Sequence, residues 1–152
     1  GVVIEKNPEK TRVLAQQRPS WAVFEGTALA VVSSGALALY PIDLIDCDPY
    51  GSPWPILAPA IAAVSAPVLA IAVNDGLRQR LAMMQGWTSK DLADEVLKYG
   101  NNRLYRDYLA VCREKLTGLL AVCGYELSWW AGRYVGHAHH MTHYAAVVVK
   151  RG

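Results

Sequence analysis

An apolar run at residues 40–45 is followed at once by the turn-forming segment Asp-Cys-Asp-Pro-Tyr-Gly-Ser-Pro at residues 46–53. The run has the length and composition of a short buried strand. Pro49 has a fixed φ and no backbone N–H, which helps to hold its carbonyl in place. A strand that ends in Asp-Pro-aromatic therefore brings a carboxylate, a carbonyl and a flat ring together. In open α/β sheets, ligands bind at this end of the strands.

Short apolar runs alternate with segments of helical spacing along the rest of the chain. Strands are predicted at residues 2–5, 22–24, 42–47 and 68–73, and helices at residues 8–17, 56–65, 91–99 and 105–123. Two further β segments, at residues 125–130 and 144–149, are joined by a polar loop. This order predicts an α/β fold in one domain of residues 1–152, with a mostly parallel sheet that ends in an antiparallel C-terminal hairpin.

The composition excludes a disordered chain, because 53% of the residues are hydrophobic and only 18% are charged. The net charge of +2 is too small to require a nucleic acid partner and too small to exclude one. Cys47, Cys112 and Cys123 are odd in number and lack metal-ligand spacing. We expect them to be buried thiols in a reducing compartment, which favours a cytoplasmic location.

Residues 56–73 contain no charged side chain, and this length is just enough for a transmembrane helix. Pro59 and Pro67 interrupt the stretch. The prolines favour a helix, a turn and then a buried strand, since buried parallel strands are continuous apolar runs. We therefore expect no membrane span.

The segment at residues 46–53 resembles the fourth motif of amino-group methyltransferases that use S-adenosylmethionine, and it is most similar to that of the tRNA guanine-N2 dimethyltransferase family. The order of elements is similar to the Rossmann-like class I methyltransferase fold from its second strand onward. The resemblance implies methyl transfer to an exocyclic amine of a nucleobase, with guanine N2 of tRNA preferred. A DNA adenine-N6 or cytosine-N4 methyltransferase is one alternative. The other is a non-catalytic, methyltransferase-like subunit that binds nucleic acid or a partner.

The resemblance assigns the catalytic positions to Asp48, Pro49 and Tyr50. The Asp48 carboxylate and the Pro49 carbonyl would accept the hydrogens of the amine and align its nitrogen with the methyl group of the cofactor. Tyr50 would stack on a base that has been extruded from its helix. Asp46 would orient the turn or contact the cofactor.

The same resemblance implies a cofactor site at two other strand ends. Glu5, followed by Asn7 and Pro8, occupies the place of an acidic residue that binds both ribose hydroxyls. A solvated glutamate near a helix start is the alternative. The third motif corresponds to Gly26, Thr27 and Ala28, with Thr27 in place of the acidic residue that meets the adenine amine.

Nucleic acid contacts are expected from aromatic, basic and histidine side chains at Tyr50, Arg78, Arg133, His140 and His143. The four histidines of residues 137–143 have no cysteine or carboxylate among them. We therefore expect a polar loop near the substrate rather than a metal site.

The glycine-rich first motif of the family has no counterpart among these residues, and it is expected upstream of Gly1. Without the strand that precedes this motif, the sheet would lack its central strand and would expose long edges. We therefore expect an N-terminal segment or a second chain to supply it.

Overall fold

The computed structural model describes residues 1–49, 51–83 and 90–152. In chain order the elements are β1 (Val2–Glu5), α1 (Pro8–Gln17), β2 (Ala22–Glu25), α2 (Ala28–Ser33), β3 (Leu44–Cys47), α3 (Trp54–Ala63), β4 (Val68–Asp75), α4 (Leu77–Met83), α5 (Ala93–Tyr99), α6 (Asn101–Arg106), α7 (Tyr108–Val122), β5 (Tyr125–Val135) and β6 (Met141–Lys150). Single 3-10 turns lie at Ala36–Leu39, Lys90–Leu92 and His137–His139.

The described strands form two sheets. β1 and β2 make a parallel pair, and the other four strands follow the order β3-β4-β6-β5. In this larger sheet, β3 is parallel to β4, whereas β6 is antiparallel to both β4 and β5. The α/β class and the C-terminal hairpin are confirmed. The prediction of one mostly parallel sheet is wrong, because no described strand joins β1 to β3 and the larger sheet is mixed.

Backbone hydrogen bonds identify the unpaired edges of β1 and β3. Gly1 and Glu5 accept hydrogen bonds from the β2 side, and Asp43 accepts one from β4. Successive residues of a strand direct their backbone groups to opposite edges. The backbone groups of residues 2 and 4 on β1, and of residues 44 and 46 on β3, therefore point away from these partners. No strand within the described ranges pairs with either outward edge.

β4 is the strand around which the main core forms. Its alternate residues Leu69, Ile71, Val73 and Asp75 are buried, which is the period-2 pattern of a strand with one covered face. Side chains from α3, α4, α6 and α7 complete this core, among them Leu57, Ile61, Leu77, Leu104, Leu116 and Leu120. A smaller apolar cluster of Val32, Leu37 and Ala60 touches both sheets, through Val2, Ile4 and Ile45.

The apolar stretch at residues 56–73 divides as predicted into α3 and β4, with a break between Ala63 and Val68. None of the helices in the described part of the chain is long and apolar enough to cross a membrane. The single helix predicted at residues 105–123 is instead two helices, α6 and α7, which meet at Asp107. The sequence analysis also missed the short helices α2 and α4.

Asp75 is a fully buried carboxylate at the end of β4. It accepts hydrogen bonds from the Leu77 backbone N–H at 2.8 Å and from the Tyr108 hydroxyl at 2.9 Å. The first bond supports the start of α4, and the second joins α7 to the sheet. Burial raises the pKa of Asp75 from 3.8 to about 6, although these hydrogen bonds act in the opposite direction.

The raised pKa of Asp75 predicts a pH-dependent stability. Because the folded state binds this proton more tightly than the unfolded state, the stabilisation is complete below about pH 4 and is lost as the pH rises to about 6, a change of about 3 kcal/mol. Asp75→Asn cannot titrate. The difference in unfolding free energy between the two proteins, from urea titrations across this range, should therefore change with pH. A constant difference would contradict the assignment.

Candidate functional site at the carboxyl ends of the strands

The turn after β3 leads directly into a helix. Asp48 is exposed and Pro49 is half-buried. The Gly51 N–H donates to the Pro49 carbonyl at 2.8 Å, and the φ of Gly51 is +144°. A side chain at Gly51 would be strained in this conformation. α3 then begins at Trp54. Tyr50, the predicted stacking residue, lies outside the described residues.

The carboxylates of this turn face outward and the thiol between them faces inward. Asp46 and Asp48 are exposed, whereas Cys47 is 5% exposed. Burial, with smaller contributions from Asp46, Asp48 and Asp75, raises the pKa of Cys47 to about 12. Cys47 is therefore a neutral thiol in the core. The Asp48 carboxylate forms no hydrogen bond or ion pair with the residues that the structure describes, so it can accept hydrogen bonds from a ligand.

A second group of predicted site residues lies at the ends of β1 and β2. One oxygen of Glu5 accepts a hydrogen bond from the Asn7 backbone N–H at 2.8 Å. The Gly26 N–H donates to the Glu5 carbonyl at 3.0 Å, which places these two strand ends side by side. Glu5 is half-buried, and its second carboxylate oxygen accepts no hydrogen bond from a described residue.

Two of the predicted cofactor contacts are helix caps. The side-chain oxygen of Asn7 accepts from the N–H groups of Glu9 and Lys10 at 2.9 and 3.2 Å, at the start of α1. The Thr27 hydroxyl accepts from the Ala30 N–H at 3.3 Å, at the start of α2. Both side chains therefore fix the turns that carry Glu5 and Gly26. Ala28 is the first residue of α2.

Arg78, a predicted nucleic acid contact, is only 7% exposed. Its guanidinium carbon lies 3.9 Å from the ring centroids of both Tyr105 and Tyr134. Its Nε donates to the Tyr105 carbonyl at 3.0 Å, and its Nη1 donates to the His139 carbonyl. Arg78 thus joins α4 to α6, to β5 and to the histidine loop, and its guanidinium makes these contacts within the protein.

The structure separates the other predicted nucleic acid contacts. His140 Nδ1 lies 3.0 Å from the Tyr105 hydroxyl, so this ring belongs to the group around Arg78. Arg133 and His143 are cross-strand partners on β5 and β6, where Arg133 is exposed and His143 is half-buried. Across the described ranges, no three histidine, cysteine or acidic side chains are grouped so as to hold a metal ion.

Several polar atoms near the turn were missed by the sequence analysis. Trp54 Nε1, Thr142 Oγ1 and the Tyr144 hydroxyl are buried, and so is Ser52 Oγ; none has a hydrogen-bond partner in the described part of the chain. The Tyr144 ring stacks between those of Trp54 and Trp130, at centroid distances of 6.3 and 4.9 Å. Trp54, the aromatic residue that follows the motif, therefore packs against Tyr144 of the last strand.

No family model and no curated protein matches the chain. Solved structures share its fold, among them the following two. M. jannaschii TYW2 in complex with AdoMet has a TM-score of 0.56 and 12% identity, over 98% of this chain and 57% of the TYW2 chain. The plantazolicin methyltransferase BamL, in complex with a triazolic desmethylPZN analog and SAH, has a TM-score of 0.50 and 11% identity, over 99% of this chain and 68% of its own. The chain thus shares its fold with proteins solved in complex with AdoMet or SAH, and it spans little more than half of TYW2.

The geometry around Arg78 predicts that lysine cannot replace it. Lysine lacks the flat guanidinium that stacks between two rings and donates to two carbonyls, so Arg78→Lys should lower the unfolding free energy by about 2 kcal/mol. Arg133→Lys, at an exposed position on β5, is the matched control and should change it by less than about 0.5 kcal/mol. Urea unfolding of both variants measures the difference. Equal stabilities would show that the stacking around Arg78 does not stabilise the fold.

Proposed function

We propose that this chain forms the methyltransferase part of an enzyme that transfers a methyl group from S-adenosylmethionine to an exocyclic amine of a nucleobase, with guanine N2 in tRNA as the preferred target. The observation that carries the proposal is the turn after β3. There an exposed Asp48 carboxylate and the Pro49 carbonyl follow each other at the carboxyl end of a strand. The fold is shared with proteins solved in complex with AdoMet and SAH.

The turn has the groups needed to orient an amine. One amine hydrogen is donated to the Asp48 carboxylate and the other to the Pro49 carbonyl. The Pro49 oxygen already accepts the Gly51 N–H, but a carbonyl has two lone pairs and can accept a second hydrogen bond. These bonds direct the lone pair of the amine nitrogen toward the methyl carbon, and the Asp48 charge stabilises the positive charge that develops on the nitrogen.

The ends of β1 and β2 fit the nucleoside part of the cofactor. Glu5 has one carboxylate oxygen fixed by the Asn7 N–H, and the second oxygen can accept from a ribose hydroxyl. Gly26 has no side chain, so a flat ring can approach the backbone at this strand end. S-adenosylmethionine supplies an electrophilic methyl group on a sulfonium. The residues of this chain supply binding and alignment.

The alternative functions would use the same residues of the site. A DNA adenine-N6 or cytosine-N4 methyltransferase would present its amine to the same Asp48 and Pro49 groups. In a non-catalytic subunit, the turn would bind nucleic acid or a partner without transfer. Stacking of Tyr50 on the base stays a prediction. Methyl transfer assays on tRNA and on DNA separate these functions.

Asp48→Asn should lower the rate of methyl transfer by about 100- to 1000-fold, because the amide replaces a charged acceptor beside the amine with a neutral group. Asp43→Asn is the matched control, since Asp43 is also exposed and lies just before the other end of β3. Radiolabelled methyl transfer to unmodified tRNA and to unmethylated DNA, run in parallel with the full-length protein, measures the effect. The enzyme proposal fails if the wild-type protein labels neither substrate, or if both variants label as fast as wild type.

Glu5→Gln should weaken S-adenosylmethionine binding by about 1.5–3 kcal/mol, because one acceptor oxygen is replaced by a donor and the charge is lost. Glu9→Gln, on the exposed first turn of α1, should leave the affinity unchanged. Titration calorimetry of the full-length protein gives both values. Equal affinities for the two variants and wild type would remove Glu5 from the cofactor site.

A further inference from the structure

The strand register places three polar side chains in one row across the larger sheet, and Asp48 follows the end of β3 beside this row. Asn74 on β4 is paired with His143 on β6, and His143 is paired with Arg133 on β5. On the other side of β4, the last parallel pair is Cys47 with Val73, and Asp48 and Asn74 are the residues that directly follow this pair in the two strands. Adjacent strands are about 4.8 Å apart, and the row together with Asp48 therefore spans about 14 Å.

All four side chains belong to the same face of the sheet. Val73 and Asp75 are buried on the helix-covered face of β4, so Asn74 between them is on the opposite face. The same alternation applies to β6, where Thr142 and Tyr144 are buried on either side of His143. On β5, a Cβ at Gly132 would lie 2.5 Å from Leu109 of α7, which leaves Arg133 on the opposite face. On β3, Cys47 is buried and Asp48 is exposed.

The polar row ends a mostly apolar surface. One row further from the turn, the same face carries Asp46 of β3 and three alanines, and the next row carries only apolar side chains. Asn74 and His143 are half-buried, and neither side chain forms a hydrogen bond with any residue in the described ranges. Along β4, the side chains on this face are apolar until Asn74. The amide of Asn74 therefore lies at the end of the strand where the amine would be held.

We propose that Asn74 is a specificity-determining residue that recognises the polar edge of the base whose amine Asp48 holds, an inference that rests on the proposed function. In guanine, the ring N1–H and the O6 carbonyl follow the N2 amine along one edge. The Asn74 side chain has an acceptor and a donor in the same order, so it can bind both groups. Adenine has no carbonyl on this edge and offers Asn74 only one hydrogen bond.

The remaining two members of the row extend the contact surface away from the base. His143 lies next to Asn74, and Arg133 is the exposed cation at the far end. Because the sugar is attached on the side of the base opposite this edge, His143 and Arg133 lie beyond the O6 end of the edge, where Arg133 can meet a phosphate of another nucleotide of the bound RNA. A guanidinium suits a phosphate because it donates hydrogen bonds in a planar fork.

The test is steady-state methyl transfer by the full-length protein to unmodified tRNA, comparing wild type with Asn74→Ala. A lost bidentate contact to a base corresponds to a decrease of about 5- to 150-fold in kcat/KM. S-adenosylmethionine affinity and the thermal midpoint should stay at wild-type values. Asn102→Ala, at an exposed position on α6, is the control and should leave kcat/KM unchanged. In addition, the loss caused by Asn74→Ala should be smaller on any adenine-containing DNA substrate than on tRNA.

Two results would overturn the role of Asn74. One is an unchanged kcat/KM for Asn74→Ala while Asp48→Asn is inactive, which would leave the proposed function intact. The other is a loss of S-adenosylmethionine affinity as large as the loss of kcat/KM, which would place Asn74 in the cofactor site. If the wild-type protein methylates neither substrate, the proposed function itself fails. Direct binding of tRNA then decides about Asn74, because an unchanged Kd for Asn74→Ala would exclude base recognition.

Discussion

The pairing of β4 with both β3 and β6 is the constraint on which the rest of the structure depends. β4 is buried between them, and its inward side chains form the centre of the main core. Its last residue, Asp75, supports the start of α4 and is bonded to Tyr108 of α7. Because β4 fixes the positions of β3 and β6, it also fixes the turn that carries Asp48 and the strand that carries His143. The candidate site is thus built on the most buried part of the fold.

Short-range pattern was enough to predict the elements that depend on local chemistry. The uncharged stretch is a helix followed by a strand, as predicted, and Pro67 lies in the break between them, whereas Pro59 lies inside α3 and does not end it. The turn after β3 was predicted because an Asp-Pro-Tyr-Gly segment, at residues 48–51, is common in turns. These residues act on their immediate neighbours, so their effect is visible in the sequence.

What the sequence could not provide depends on contacts between distant residues. Arginine is usually a surface residue, and Arg78 is buried only because Tyr105 and Tyr134 approach it from α6 and β5. Asn74 was proposed as part of the site only because of its register with His143 and its position just after the last pair of β3 and β4. Asn7 and Thr27 were predicted to bind cofactor, whereas their hydrogen bonds show that they also cap helices. A single sequence does not show pairing between strands, so these assignments needed the structure.

The division into two sheets has a physical consequence for the site. The outward backbone groups of residues 2 and 4, and of residues 44 and 46, have no strand partner within the described ranges. Side chains of both β1 and β3 pack against the same apolar cluster of Val32, Leu37 and Ala60. Unpaired edges beside an apolar cluster are open to pairing with a further strand. The expected contribution of another segment or chain stays a prediction. Such a strand would lie between the ends that carry Glu5 and Asp48, where the nucleoside of the cofactor and the reacting amine must be brought together.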